Sequence, residues 1–227
     1  YAKNAITIIN GTVLITKSEI SHSLQNGAYI AGNNNAVISE NRIENNLNGI
    51  FINGSSSGAV IQQNNIYFNT ENGIYLYGNK TIENTLILNN RLSTNPTGIH
   101  VYGQVNTNIT RNSIAYNKLG ILHENATNIA PLQYNDIYNN TLAARTISSD
   151  PVNEEYNYWG DKSGPYHISL NPLGKGNPVE SNGVDLDFIP FLTINNTYLN
   201  QRPIAHLLTD KLLVPPNQDV TFIGTIS

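Results

Sequence analysis

Sulfur and charge are scarce in this chain of 227 residues, and each scarcity excludes a class of function. Only 12% of the residues are charged and the net charge is −4, so no basic stripe neutralises phosphates and nucleic acid is not an expected partner. Cysteine is absent, which excludes disulfides and thiolate metal sites. No apolar run is long enough to predict a membrane span in this segment. Methionine is absent even at position 1, which predicts a processed or proteolytic fragment of a longer protein.

Asparagine, in contrast, is abundant and recurs at a regular spacing. It accounts for 38 of the 227 residues. One column, each member two positions before an aliphatic residue and 22 to 26 positions from the next, comprises Asn41, Asn64, Asn90, Asn112 and Asn135. A second column follows five positions later and comprises Asn46, Asn69, Asn95, Asn117 and Asn140. A fixed period in the low twenties is typical of a solenoid, in which each repeat stacks on its neighbours.

The apolar residues between these asparagines predict strands. They come in short alternating bursts such as GIFIN and NIYFN, which have the period of two that is typical of β-strands. Three short strands per coil predict an all-β fold, a right-handed parallel β-helix with coils about 4.8 Å apart. We expect the asparagines to occupy the turns, because asparagine tolerates positive φ, and to form hydrogen-bonded ladders from coil to coil.

The repeat resembles the β-helix repeats of pectate lyases and of the larger group of carbohydrate-binding and sugar-hydrolase repeat proteins. The resemblance covers about residues 5 to 150 and implies a β-helix domain over 1–152. It implies the fold and leaves the function open, because one fold carries many functions.

After the coils, the sequence changes to NYWGDKSGP, then NPLGKGNPV and DFIPFL. These stretches resemble the closing segment of many secreted bacterial and archaeal β-helix proteins, including the periplasmic accessory protein of nitrous oxide reductase maturation. Asn177 stands where that segment usually has Asp, and Phe191 where it usually has Trp. The resemblance implies a secreted or cell-surface protein, extracellular or periplasmic. We predict that 153–200 is a cap whose Gly/Pro turns prevent a further strand and whose aromatic residues cover the open core, namely Tyr158, Trp159, Phe188 and Phe191.

Residues 201–227 resemble the first strands of an immunoglobulin-like PKD domain. The resemblance rests on Pro203, Ile204 and Ala205 and on the stretch DVTFIGTIS, with Asn217 in place of the usual Gly. It implies a truncated second domain and other domains of the parent chain as partners.

Catalytic and metal-binding patterns are sparse. Residues 18–147 contain seven acids whose registers differ from coil to coil, which disfavours a polysaccharide lyase or glycoside hydrolase. Arg42 and Arg91 share one register, have no acid fixed beside them and are expected to be solvated. Asp185 and Asp187 flank Leu186 and are the candidates for Ca²⁺ ligands, although two acids are too few alone and a solvated strand face is favoured. The five histidines are scattered, so no other cofactor is predicted.

One outward-facing column is aromatic. After the glycine of each repeat, strand alternation points the next residue inward and the following one outward. The outward residues include Tyr29, Phe51, Tyr75, Tyr77, His100 and Tyr102. Aromatic rings in adjacent coils predict a linear platform on which sugar rings stack. There are two alternative interpretations: the aromatic residues simply favour sheets and pack on one another, or residues 153–200 fold back over them.

Three functions therefore compete. The first is a non-catalytic module of a secreted or cell-surface protein that binds a polysaccharide along the aromatic column. The second is a polysaccharide lyase or hydrolase of pectate-lyase-like type, disfavoured by the lack of an acidic column. The third is a structural spacer or adhesion stalk without a small ligand.

Overall fold

The computed structural model is an all-β solenoid of about six turns, which confirms the predicted parallel β-helix. It describes residues 2–54, 58–127, 129–148, 150–181 and 186–196, and the backbone of 206–209 and 222–225. The chain forms two compact units, Tyr1–Asn196 and Thr197–Ser227. None of the described residues belongs to a helix with the length and apolar character needed to cross a lipid bilayer.

Parallel strands stack along three faces of the solenoid. The first face contains β1 (Asn4–Ile9), β4 (Asn26–Ala31), β7 (Asn48–Asn53), the first halves of β10 (Asn72–Leu88) and β12 (Thr97–Thr110), β14 (Leu119–Thr127), β17 (Leu142–Ile147) and β19 (Val179–Ser181). The second face contains β2 (Thr12–Thr16), β5 (Asn35–Ser39), β8 (Val60–Gln62), the second halves of β10 and β12, and β15 (Leu132–Gln133). The third face contains β3 (Glu19–Ser21), β6 (Arg42–Glu44), β9 (Asn65–Tyr67), β11 (Arg91–Ser93), β13 (Ser113–Ala115) and β16 (Asp136–Tyr138).

Aliphatic side chains from successive coils fill the interior. On the third face the inward residues are Ile20, Ile43, Ile66, Leu92, Ile114 and Ile137, paired in register and almost completely buried. Burial of each such side chain stabilises the fold by roughly 1.5–3 kcal/mol. Short strands are therefore sufficient, because each coil adds one layer to a continuous apolar core.

The two predicted asparagine columns form buried ladders. Within the first, both the backbone N–H and the side-chain Nδ2 of Asn64 donate to Oδ1 of Asn90, each at 3.0 Å. The same Nδ2 donates to the carbonyl of Ile38 at 2.8 Å. The first ladder continues to Asn157 and the second to Asn177. Each turn thus satisfies its buried backbone groups with an amide from the neighbouring coil.

The ladder asparagines do not themselves adopt positive φ, so that part of the prediction is wrong. The residue immediately before each ladder position does so, with φ between 53° and 61° for Glu40, Gln63, Asn89, Arg111, Tyr134, Asn45, Phe68, Thr94, Tyr116 and Asn139. A ladder asparagine must aim its amide into the turn, where it meets donors and acceptors of both adjacent coils. The left-handed conformation therefore falls on the residue before it, which is usually exposed.

The closing segment adds strands, contrary to the prediction that its turns prevent them. β19 pairs in parallel with β17, and β20 (Leu186–Asp187) pairs with β18 (Val152–Asn153). Residues 160–176 make an excursion from the coil, after which the backbone N–H of Asn140 donates to Oδ1 of Asn177 at 2.9 Å. The segment extends the solenoid because the ladder resumes after this insertion. Its aromatic residues are partly in the core: Trp159 and Phe188 are fully buried, whereas Tyr158 and Phe191 are half-buried.

In the second unit the structure describes one antiparallel pair, β21 (His206–Thr209) and β22 (Phe222–Thr225). Pro203, Ile204, Ala205 and Asn217, on which the PKD resemblance rests, lie outside the described residues. The immunoglobulin-like domain therefore stays a prediction.

Candidate functional site

The first face brings together all six aromatic residues predicted from the sequence. In register across adjacent coils, Tyr29 pairs with Phe51, Phe51 with Tyr75, and Tyr75 with His100. Tyr77 and Tyr102 lie two residues further along the same two strands as Tyr75 and His100, and they are in register with each other. We call these six residues the aromatic row.

The rings of the aromatic row stack on one another along the solenoid axis. Tyr75 and His100 have centroids 4.4 Å apart and planes 8° apart, and Tyr29 and Phe51 are 5.6 Å and 7° apart. At such centroid separations nearly parallel rings stack with a lateral offset. Phe51 meets Tyr75 edge to face at 5.1 Å, which joins the two stacks. The row is therefore continuous, but neighbouring rings cover many of the flat faces that the sequence analysis assigned to sugar stacking.

The rings are half-buried rather than fully exposed. All six side chains have intermediate exposure, and that of His100 is 12% exposed. Burial, assisted by the nearby Glu124 carboxylate, raises the pKa of Tyr75 to about 12. Its hydroxyl is therefore neutral at physiological pH and available as a hydrogen-bond donor or acceptor.

A hydrogen-bonding partner for the row comes from the next coil. Nε2 of His100 lies 3.0 Å from Oε2 of Glu124, which is in register with Tyr102. Burial lowers the pKa of His100, against the opposing effect of Glu124. The sequence analysis counted Glu124 among the seven acids that form no column and did not predict its contact with His100. Glu124 lies two residues after Leu122, the register partner of His100, so the contact joins diagonal neighbours on adjacent strands.

A depression of about 370 Å³ lies beside the Tyr29 end of the row. Its walls are Tyr29, Phe51 and six further residues, namely Lys3, Asn4, Gln25, Asn26, Leu47 and Asn48. Nδ2 of Asn53 donates to the Tyr29 hydroxyl at 2.8 Å and orients that ring. An aromatic ring beside several amides and an ammonium group has the polar and apolar surfaces that sugars contact.

Two further concave regions were missed by the sequence analysis. A groove of about 700 Å³ on the second face is lined largely by amides and hydroxyls: Asn84, Thr85, Leu86, Asn106, Asn108, Thr110, Arg111, Ala130, Pro131, Gln133 and Tyr134. A smaller pocket of about 320 Å³ lies on the third face between Arg42 and Arg91. Asparagine is so frequent in this chain that an amide-lined groove leaves no distinctive sequence signal.

His123, Glu154 and Asp187 are further titratable residues that do not belong to the aromatic row. His123 Nε2 and Glu154 Oε1 are 2.7 Å apart, but both side chains are fully enclosed by the core. Asp187 is exposed, and its Oδ1 accepts a hydrogen bond from the Ile189 N–H at 3.1 Å. Asp185 lies outside the described residues, so the calcium hypothesis is untested.

Comparison with known proteins identifies a family and similar solved structures. Residues 1–178 match the family described as NosD, periplasmic copper-binding protein. Among solved structures, the periplasmic alginate epimerase AlgG is similar, with a TM-score of 0.50 and 19% sequence identity. The likeness covers 85% of this chain and 43% of AlgG, and at this identity it shows the fold alone. No curated protein matches the sequence.

Proposed function

The chain belongs to the NosD family of periplasmic β-helix proteins, and from this premise we propose that it is a non-catalytic module that binds a polysaccharide along the aromatic row. The observation that carries the proposal is the continuity of the row. Six rings in four adjacent coils contact one another and end at the depression beside Tyr29. A linear polymer needs a linear series of contacts, which a stack of coils supplies.

The stacked geometry favours recognition through ring edges and hydroxyls. Within the described part of the chain, the hydroxyls of Tyr75, Tyr77 and Tyr102 have no hydrogen-bond partner, whereas that of Tyr29 is bonded to Asn53. Tyrosine hydroxyls both donate and accept, as sugar hydroxyls do. The structural neighbour AlgG acts on alginate by its name, which makes alginate the first polymer to test.

The enzymatic alternative has one observation in its favour, the His100–Glu124 pair beside Tyr75. Titratable groups at hydrogen-bond distance on a half-buried surface are common at catalytic sites. The acids of the coils form no column on this face, however: the register partners of Glu124 are Tyr102 and Ile147. Binding without cleavage is therefore the function that this surface supports best.

The family description names copper, but the donors in this chain differ from those that copper prefers. Proteins hold copper with thiolate, thioether and imidazole groups, and this chain contains neither cysteine nor methionine. Across the described ranges, no three His, Asp or Glu residues come close enough to hold a metal ion. His100 contacts Glu124 and His123 contacts Glu154 in separate places. These residues do not fit a copper site, and no part of the proposed function depends on copper.

A glycan array that includes alginate, combined with a reducing-end assay on the same preparation, tests the proposal. We expect binding without cleavage. The double variant Tyr75→Phe/Tyr102→Phe keeps the ring packing and removes two hydroxyls, so affinity should fall roughly tenfold. The matched control Tyr116→Phe/Tyr166→Phe changes two exposed tyrosines outside the row and should bind like the unchanged protein.

Three outcomes would overturn the proposal. Release of reducing ends would favour the enzymatic alternative, and no binding to any glycan would favour the spacer. Equal affinity of the two double variants for the glycan would show that the glycan does not bind at the aromatic row.

A further inference from the structure

The pocket on the third face has the chemistry of an anion site. Arg42, Asn65 and Arg91 follow one another in register on β6, β9 and β11, and Tyr67 and Ser93 complete the lining. We propose that this pocket binds the carboxylate of an acidic sugar unit, with Arg91 as the residue that contacts the charge. The proposal rests on the proposed function in that the ligand is a glycan, and it specifies that the glycan carries carboxylates.

The two arginines have different surroundings. Arg42 Nη2 lies 2.6 Å from Oε1 of Glu44, whose side chain is buried, and its guanidinium sits 5.6 Å from the centroid of the Tyr67 ring. The sequence analysis placed no acid beside either arginine, and Glu44 corrects that for Arg42. The hydrogen bond to Glu44 raises the pKa of Arg42. Arg42 is thus fixed and its charge is offset.

Arg91 is the unbalanced charge of the pocket. It is exposed, and the ion pairs of the described residues do not include it. Its register neighbours are Asn65 and Ser113, which are uncharged. Although the whole chain has a net charge of −4, this pocket has a local charge of about one positive unit.

The dimensions and donors suit a carboxylated sugar. Two coil spacings separate Arg42 from Arg91, roughly 9–10 Å, which spans one sugar ring between two guanidinium groups. A guanidinium presents paired N–H donors that match the two oxygens of a carboxylate. Burial and the hydrogen bond with Glu44 both raise the pKa of Tyr67, so its hydroxyl stays protonated. Since that proton is directed at Glu44, the hydroxyl oxygen can accept a hydrogen bond from a sugar hydroxyl. A single positive unit matches a carboxylate, which carries one negative charge.

Calorimetry with defined oligosaccharides tests the inference. The probes are oligogalacturonate, its methyl ester, and a sulfated neutral oligosaccharide of the same length. We expect oligogalacturonate to bind more tightly than the other two, and Arg91→Gln to weaken its binding roughly tenfold or more. Arg91→Gln should not change binding of the methyl ester. The matched control Lys118→Gln also removes one exposed positive charge, and its affinity should stay near that of the unchanged protein.

Several results would overturn the inference: equal affinities of Arg91→Gln and the unchanged protein, equal losses in Arg91→Gln and Lys118→Gln, or tighter binding of the sulfated probe. Measuring Tyr75→Phe/Tyr102→Phe with the same probes shows which proposal fails, the arginine pocket or the aromatic row. If only the tyrosine variant loses oligogalacturonate binding, the aromatic row binds the glycan and the arginine pocket does not. If only Arg91→Gln loses it, the pocket stands and the row does not bind.

Discussion

Replacing Asn64 with alanine should destabilise the solenoid far more than replacing its neighbour Asn65. The Asn64 side chain makes four hydrogen bonds. Its Nδ2 donates to the Ile38 carbonyl and to Asn90 Oδ1, and its Oδ1 accepts from the backbone N–H and the Nδ2 of Asn41. At about 1 kcal/mol per bond, Asn64→Ala should lower the free energy of unfolding by about 4 kcal/mol. Asn64 is completely buried, so the partners left behind are buried as well.

Asn65→Ala is the matched control, because it is the same change one position later on an exposed strand position. We expect a loss within about 0.5 kcal/mol. Urea unfolding followed by circular dichroism measures both variants under the same conditions. Similar losses in the two variants, or a loss below about 1 kcal/mol for Asn64→Ala, would refute the view that the ladders stabilise the coils.

Two further predictions concern the corner residues, which are the positive-φ residues immediately before the ladder asparagines, and the His100 imidazole. Thr94 has φ of 55°, a conformation that strains a β-branched residue. Thr94→Asn should therefore raise the free energy of unfolding by about 1 kcal/mol in a urea titration. A decrease would contradict the assignment of strain to this position. Because burial lowers the pKa of His100 in the folded state, the unfolded chain binds more protons below the ordinary histidine pKa. The stability that His100 contributes is thus full above about pH 6.5 and falls as the pH drops towards the lowered folded value. His100→Phe should flatten this part of a plot of melting temperature against pH, and an unchanged slope would contradict it.

The periodic part of the fold was predictable because the ladder requires the same residue in every coil. Asn64 bonds Asn41 on one side and Asn90 on the other, so no other side chain fits the same set of partners. The corner residues were not predictable, because their side chains point away from the turn and no shared contact selects their identity. The place of Asn177 in the second ladder was not predicted either. It lies 37 residues after Asn140, beyond an insertion that breaks the period.

The candidate site was predictable in position but not in geometry. Strand alternation placed the six rings on one face, and the structure confirms that placement. The torsions that turn Tyr75 parallel to His100 and perpendicular to Phe51 depend on local packing, which residue spacing does not encode. Pairs that reach along or across coils, such as Arg42 with Glu44, depend on side-chain reach in the same way.

The bonds to Oδ1 in both ladders run in one direction, because each asparagine donates its backbone N–H to Oδ1 of the asparagine in the coil that follows. Every internal junction is chemically equivalent, whether the coils are 22 or 26 residues apart. A duplication or deletion of one complete repeat therefore leaves the same junction on either side of the change. The molecule can be lengthened or shortened only in whole steps of about 4.8 Å. The length of the solenoid, and with it the number of coils that can contribute rings to the proposed binding row, therefore changes only by whole repeats.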